Sequence, residues 1–439
     1  MIRKRWWLIK RALVYLPLFG VLLTFVLLSR HFHVLMWLVN FPEPTIISRQ
    51  MPIYDKLTFG APIKAGFSKQ DITPSRFSWV AGYYPPHLGL SIKDRLWTKS
   101  LALKDRHGNI VVIVSCDLIG LLSDELNLIF SLVKNIPREK IFINTTHTHS
   151  GPDTLGLWGI PATSGKNEKY MEFLRKAIAK SIDDAVANLQ ESSIRFGQGK
   201  FAGYAEGREE NPADDSVSVI QVLISSVPVT LVNYACHPDV VQGLQISKDF
   251  PYFLEERIRL FTGGETMFIP GAIGGVQPKE TNPGETYFVK MLGEDLADRV
   301  LQIMKNPIIE VPVNIASSKI KIEAPLENQG DLRLAVKLGM VPNLLNKNGK
   351  VSAEVGEIKI GPAQIVTVPG ELFPKIWWQV KPKMTGRLKM VFGLTNGEFG
   401  YILLPEDFQS KKHKYHAGMS VGPKFGEEVD RTLQKLVIE

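Results

Sequence analysis

Four short apolar runs, each ending near a polar or glycine-containing turn, set the framework of the chain. Ile110 to Ser115 is continuously apolar and follows Gly108-Asn109, which predicts a strand buried on both faces. Lys140 to Asn144, Pro228 to Ala235 and Thr266 to Pro270 repeat the pattern. Between them the period changes. Leu174, Ala177, Ile178, Ser181, Ile182, Ala185, Val186 and Leu189 keep one small or apolar face at helical spacing, and Phe288, Leu292, Leu296, Val300 and Ile303 do so less cleanly. Val311 to Ala324 and Glu357 to Val368 read as further strands. No internal repeat or long linker interrupts residues 64–439. The expected fold class is therefore α/β, a mixed sheet with flanking helices in a single domain.

One apolar run is of another kind. Ala12 to Ser29 carries no charge, and at about 1.5 Å per residue it matches the thickness of a hydrocarbon core. Arg3, Lys4, Arg5, Lys10 and Arg11 precede it. That asymmetry predicts an N-terminal transmembrane helix within residues 1–40, with a cytoplasmic N-terminus. Residues 41–63 would be a tether, and the domain would be extracytoplasmic. A cleaved signal peptide is the rival reading.

Charge changes the picture only through its location. The 439 residues are 44% hydrophobic and 22% charged, close to globular averages, with a net charge of +8. Six of those positive charges, the five above and Arg30, lie in residues 1–40 with no acidic residue among them. The rest is nearly neutral and shows no basic stripe with interleaved aromatics, which argues against a nucleic-acid partner. Cys116 and Cys236 are too few for a disulfide framework and read as small buried hydrophobes.

Candidate chemistry sits at strand ends. Ile143 to Thr154 reads INTTHTHSGPDT. If the strand continues, His147 and His149 point to one face. A chain with nine histidines rarely offers a His-x-His at such a place, and a metal or catalytic role competes with a solvated loop. His237 follows another strand, where open α/β sheets place ligand sites. A carboxylate would complete three protein ligands for a catalytic zinc. Asp117, Asp153, Asp239, Asp249, Glu280 and Glu371 are all candidates, and Glu371 stands out after its Pro-Gly turn.

An ordered set of motifs resembles the catalytic domain of the neutral, non-lysosomal ceramidase family. THTHSGP at 146–152 is the strongest. AGFSKQDITP at 65–74, GYY at 82–84, VSCDLIG at 114–120, ACHP at 235–238, SKDFP at 247–251, TVPGEL at 367–372 and GYILLPEDF at 400–408 accompany it. The resemblance covers roughly residues 60 to 425. It implies a zinc amidohydrolase that cleaves the N-acyl bond of ceramide. It also implies zinc ligands His147, His237, Glu371 and Tyr401, with His149 beside the metal. Arg208 is the nearest match to the family's site arginine, and Tyr415 to a second tyrosine.

The sequence departs from the family at one loop. Where ceramidases carry a GDxSP-like segment, Gly271 to Glu280 reads GAIGGVQPKE. Gly275 replaces the aspartate and Gln277 the serine. Gln277 cannot act as a nucleophile, although it can hydrogen-bond a substrate. No counterpart of the family's C-terminal immunoglobulin-like domain follows the Tyr401 region. The expectation is thus a membrane-anchored zinc hydrolase acting on an N-acyl amide or ester of a lipid-like substrate. The alternatives are a catalytically weak or inactive binding protein and a hydrolase of another cell-envelope acyl group.

Overall fold

The structure, a computed structural model, describes residues 60–438 except 76, 161–162, 209–211, 280–284, 329 and 342. Twelve strands of two sheets and five long helices carry the architecture. The strands are β1 (Ala61–Asp71), β2 (Trp97–Lys104), β3 (Ile110–Cys116), β4 (Ile141–Thr145), β5 (Gln190–Lys200), β6 (Ser216–Ile224), β7 (Val227–Tyr234), β8 (Glu265–Pro270), β9 (Ile315–Pro325), β10 (Lys350–Ile360), β11 (Ala363–Thr367), then β13 (Leu388–Phe392). Two-residue strands β12 (Glu371–Leu372) and β14 (Tyr401–Ile402) form a separate pair. The helices are α1 (Ser123–Leu132), α2 (Glu168–Ala187), α3 (Phe250–Thr262), α4 (Glu285–Ile303) and α5 (Pro423–Ile438).

The larger sheet is mixed and has eight strands in the order β8-β7-β6-β5-β1-β2-β3-β4. Its pairs are antiparallel except β7/β8 and β3/β4. The second sheet runs β9-β10-β11-β13. The two sheets pack face to face through Ile113, Phe142, Phe196, Leu231, Ile358 and Ile365, among others. On the far side of the larger sheet, α1 and α2 cover β2–β4, and α3 and α4 cover β6–β8. Helix α5 covers the outer face of the second sheet. The layers are helix, sheet, sheet, helix.

This arrangement explains the continuous apolar runs. In β3, Val111 and Ile113 enter the inter-sheet core while Val112, Val114 and Cys116 meet the helices, so no residue is left for water. The apolar stripe of α2 buries Leu174, Ala177, Ile178, Ile182 and Ala185, and Asn167 caps its N-terminus by accepting from Lys169 N and Tyr170 N. The expected mixed sheet with flanking helices is what forms. The second sheet was legible only as isolated strands, and Glu357 to Val368 is a hairpin of β10 and β11 turning at Gly361-Pro362. Strand β1 starts at Ala61, within the stretch 41–63 read as tether.

Among the described residues no helix is long and apolar enough to cross a membrane. The single-pass membrane topology expected from the apolar run is corrected accordingly, and the extracytoplasmic placement that rested on it falls with it. The run itself, residues 12–29, lies outside the described residues. Cys116 and Cys236 are buried and unpaired.

The larger sheet curls until its two ends meet. Ser115 Oγ of β3 donates to the Phe268 carbonyl of β8 at 2.7 Å. Lys99 Nζ of β2 donates to the Thr266 carbonyl at 2.6 Å and pairs with Glu255 of α3 at 2.7 Å. The loops after β4 and β7, six strands apart in sheet order, are thereby brought together.

Helix α5 secures the segment that follows β14. A Cβ on Gly426 would stand 1.7 Å from the Leu403 carbonyl oxygen, so the helix can lie there only as glycine. Helix propensity alone predicts that Gly426→Ala stabilises by about 1 kcal/mol. The close approach predicts the opposite sign, a loss of about 1–3 kcal/mol in urea unfolding. A stabilised variant would contradict the packing.

Candidate metal site

The site is built from four chain segments. Strand β4 ends at Thr145, and the next residues follow the extension of β3, with Thr146 N–H donating to the Cys116 carbonyl at 2.8 Å and His147 N–H to Leu118 at 2.9 Å. His147 takes φ 65°, a left-handed conformation uncommon for a side chain with a Cβ. The expected reason for the convergence of His147 and His149, a continuing strand, is therefore corrected: the chain turns at His147. The rings nevertheless approach, with centroids 4.9 Å apart. His237 follows β7, and its ring lies 5.0 Å from that of His147 and 5.6 Å from that of His149. One ring nitrogen from each of the three lies within 4.8 Å of the others.

Glu371 and Tyr401 arrive as a pair. Strands β12 and β14 are parallel with Glu371 opposite Tyr401, so the two side chains share one side. The Glu371 carboxylate lies between two imidazoles. Its Oε1 is 3.5 Å from His147 Nε2, and its Oε2 is 2.9 Å from His237 Nε2. Tyr401 hydrogen-bonds the same carboxylate.

Backbone carbonyls fix the tautomers. His147 Nδ1 donates to the Ile119 carbonyl at 2.7 Å, and His237 Nδ1 donates to the Val276 carbonyl. A carbonyl only accepts, so each Nδ1 carries the proton and each Nε2 presents a lone pair to Glu371. Burial holds His147 down to about 4 and lowers His237 as well, so both rings are neutral near pH 7. Burial pushes the Glu371 carboxyl up to about 7, partly offset by His147, Arg208 and Tyr401. Two lone pairs and a carboxylate cannot face one another without something positive between them. A proton on Glu371 fills that need, and so would a metal ion.

His149 is arranged differently. Its backbone N–H donates to the Pro238 carbonyl at 3.0 Å, tying it to the His237 loop. Both of its buried ring nitrogens lack a well-formed hydrogen bond, apart from a weak contact with the Gly82 backbone. Burial, then the neighbouring His147, His237 and Arg208, hold its basicity well below the ordinary histidine value. A Cβ on Gly82 would stand 2.5 Å from His149 Nδ1, which gives the GYY segment a steric role. The donor set fits a divalent ion: His147, His237 and Glu371 with Tyr401 adjacent, or the three imidazoles. Backbone carbonyls fix a metal-binding tautomer on His147 and His237, while the His149 ring has the Gly82 backbone as its hydrogen-bond contact.

The remaining expected residues fall into two groups. Arg208 pairs with Asp239 at 3.7 Å, donates from Nε to Gln277, and places its charge near Glu371 and His149. Gln277 also donates to Glu206 at 3.2 Å, so both ends of its amide are engaged by protein. Tyr415 stands at the rim, exposed, its ring 6.0 Å from that of Tyr401. The other candidate carboxylates are spent elsewhere. Asp117 accepts from Trp97 N–H, Asp153 from Leu155, Gly156 and Trp158, and Asp249 caps α3. Glu280 lies outside the described residues. Sequence reasoning missed Glu398, buried in the same cleft, for which no motif gave a signal.

The cleft above the histidines has a cavity volume of about 70 Å³, with the remaining space in its open mouth, and is mostly apolar. With the fold and this geometry in place, comparison with solved structures is decisive for architecture. The crystal structure of neutral ceramidase from Pseudomonas aeruginosa superposes with a TM-score of 0.71 at 15% identity, covering 86% of this chain and 74% of that one. A ceramidase complexed with C2 matches with a TM-score of 0.71 at 14% identity, covering 86% and 75%. The chain has the neutral ceramidase fold. No protein-family model matches the sequence, and no curated protein matches it either. The ceramidase fold therefore rests on three-dimensional similarity, with the histidine cluster at the strand ends of its larger sheet.

If an ion replaces the proton on Glu371, binding releases that proton below pH 7. The affinity for zinc should then fall by about tenfold per pH unit below pH 7, and Glu371→Gln should flatten that slope. Titration calorimetry at pH 5.5, 6.5 and 7.5 measures it. A pH-independent affinity in the native protein would contradict the arrangement.

Proposed function

We propose that this ceramidase-fold protein is a zinc-dependent hydrolase of an N-acyl amide, or a related ester, of a lipid-like substrate. The observation that carries the reading is the set of fixed Nε2 lone pairs on His147 and His237 facing the buried Glu371 carboxylate. His147, His237 and Glu371 would hold the ion, with Tyr401 beside them as fourth ligand or hydrogen-bond donor. The chemistry that zinc supplies in such a setting is Lewis acidity toward a carbonyl oxygen and a lowered pKa for water.

The chain's own groups have distinct tasks. Glu371 offsets the positive charge and is itself oriented by Tyr401. Burial, with Glu371 adding to it, keeps the Tyr401 phenol protonated far above neutral pH, so it can donate to a developing oxyanion. His149, held by its backbone and with the Gly82 backbone as its ring contact, can take a hydrogen bond or proton from the reacting group at its other ring nitrogen. Arg208 adds fixed positive charge near the site. Leu155, Leu157, Leu332, Val341 and Leu344 line the cleft and suit a hydrocarbon chain. The neighbour called a neutral ceramidase makes ceramide the first substrate to try.

A second reading has one observation in its favour. Gln277, which the resemblance aligns with the family serine, has its amide engaged by Arg208 and Glu206. A protein that keeps the fold and ion but only binds its ligand would look the same here.

The test is turnover of a fluorescent short-chain ceramide, with N-acyl peptide and acetylated-sugar substrates beside it, by zinc-loaded and chelated protein. The proposal expects zinc-dependent release of the acyl group, reduced roughly a hundredfold or more in His147→Ala, His237→Ala and Glu371→Ala. Zinc-loaded protein that is inert across the panel would favour the binding reading. Activity unchanged in His147→Ala would refute the metal mechanism.

A further inference from the structure

We infer that the rim of the metal-site cleft is a docking surface for a lipid bilayer with anionic headgroups, a peripheral contact that needs no membrane-spanning helix. The inference rests on the reading of the cleft as the site of a lipid-like substrate. Five large side chains with apolar bodies stand out from the rim, Tyr84, Ile160, Leu334, Leu338 and Tyr415, each between 47% and 68% exposed. They come from four segments that also build the cleft, which Gly82, Leu157, Leu332 and Tyr415 line, one from each. Contacts join these segments to one another. Tyr84 Oη donates to the Leu157 carbonyl at 2.9 Å. A Cβ on Gly156 would stand 2.9 Å from the carbonyl oxygen of Met340, just past the short helix Asp331–Lys337. Asn328 Nδ2, just before that helix, donates to the Ala417 and Gly418 carbonyls at 3.0 and 2.8 Å.

Charge selects the occupant. Segments 82–90, 155–160, 331–347 and 409–419 contain six basic residues, Arg333, Lys337, Lys347, Lys411, Lys412 and Lys414, and Asp331 as their single acid. The five lysines are exposed. The net charge of +8, less the six basic residues of 1–40, leaves only +2 for residues 41–439, so the rim is strongly positive on a chain whose other residues are net negative. Leu334 and Leu338, four residues apart, fall on one side of the short helix. Grouped exposed apolar side chains edged by charge mark a place where a protein meets a partner. Tyrosine suits the headgroup layer, because its ring is apolar and its hydroxyl polar. Lysines beside it are drawn to a negatively charged lipid surface, each adding to the attraction. An acidic protein would match the charge, but seated there it would seal the mouth through which substrate enters. A bilayer matches both the charge and the apolar side chains, and it delivers a lipid-like substrate to that mouth.

The experiment attaches an environment-sensitive fluorophore to the full chain at Leu334→Cys, and separately at Leu260→Cys on α3, an exposed leucine outside the rim segments. Cys116 and Cys236 are buried, so the introduced thiol takes the label. Vesicles of phosphatidylcholine, alone or mixed with phosphatidylglycerol, are then titrated in. With the mixed vesicles the Leu334 label should shift to the blue and be quenched by nitroxide-bearing lipid, and the Leu260 label should do neither. The signal comes from the labelled site, so attachment of any other part of the chain to the vesicles does not produce it. The combined variant Lys337→Glu, Lys411→Glu, Lys414→Glu should need about tenfold or more lipid for the same shift. If Leu334→Cys does not fold, Ile160→Cys carries the test from another segment. No shift at the rim, an equal shift at Leu260, the same shift with phosphatidylcholine alone, or an unchanged titration in the charge-reversed variant would overturn the inference. A rim shift that grows with protein concentration in the absence of vesicles would also overturn it, because a second copy would then cover this face. Failure of the hydrolase reading looks different: no substrate is turned over, yet the rim label still enters the bilayer. Failure of the docking alone leaves soluble short-chain ceramide turned over with no shift at the rim.

Discussion

Everything at this site follows from one electrostatic requirement. Two imidazole lone pairs and a carboxylate meet in a buried place, and their mutual repulsion must be relieved by a proton or a cation. The backbone leaves no other tautomer, because Ile119 and Val276 present carbonyls to the far side of each ring. The parallel pairing of β12 with β14 sets Glu371 beside Tyr401 before any ligand arrives.

The framework serves that meeting at some cost. His147 and His237 follow strands far apart in sheet order, and they converge because the larger sheet curls onto itself. The junction is closed by the buried charges of Lys99, Lys248 and Glu255, bonded to one another and to the Thr266 carbonyl. Removing one member would strand the others without water, so this network reads as structural. His147 contributes strain through its positive φ, the kind of local penalty found where surrounding contacts over-determine a functional group. The likeness to a neutral ceramidase, at a TM-score of 0.71 and 15% identity, shows that the fold is shared although most side chains differ.

The sequence made some of this legible, for physical reasons. Strands buried on both faces leave continuous apolar runs, so β3, β4, β7 and β8 were readable, as was the stripe of α2. The hairpin of β10 and β11 was merged because its turn is only Gly361-Pro362 between two apolar segments. His147, His149 and His237 stood out at strand ends, Glu371 and Tyr401 were singled out by the family resemblance, and the fold brings the five into one place. The geometry that joins them was not readable: periodicity suggested an extended His-x-His, whereas the chain bends at His147. The apolar run at 12–29 suggested a membrane span, and no described helix has the length and apolarity for one. Glu398 carries no pattern at all, since a lone acid stands out only once the fold buries it in the cleft.

The central claim is that a metal ion occupies the meeting point of His147, His237 and Glu371. Anomalous diffraction at the zinc edge, from crystals of protein purified without added metal and then soaked in stoichiometric zinc, tests it most directly. The account predicts one peak bonded to Nε2 of both histidines and to the Glu371 carboxylate. No peak there, or zinc bound only elsewhere while Glu371 stays hydrogen-bonded to His237, would contradict it.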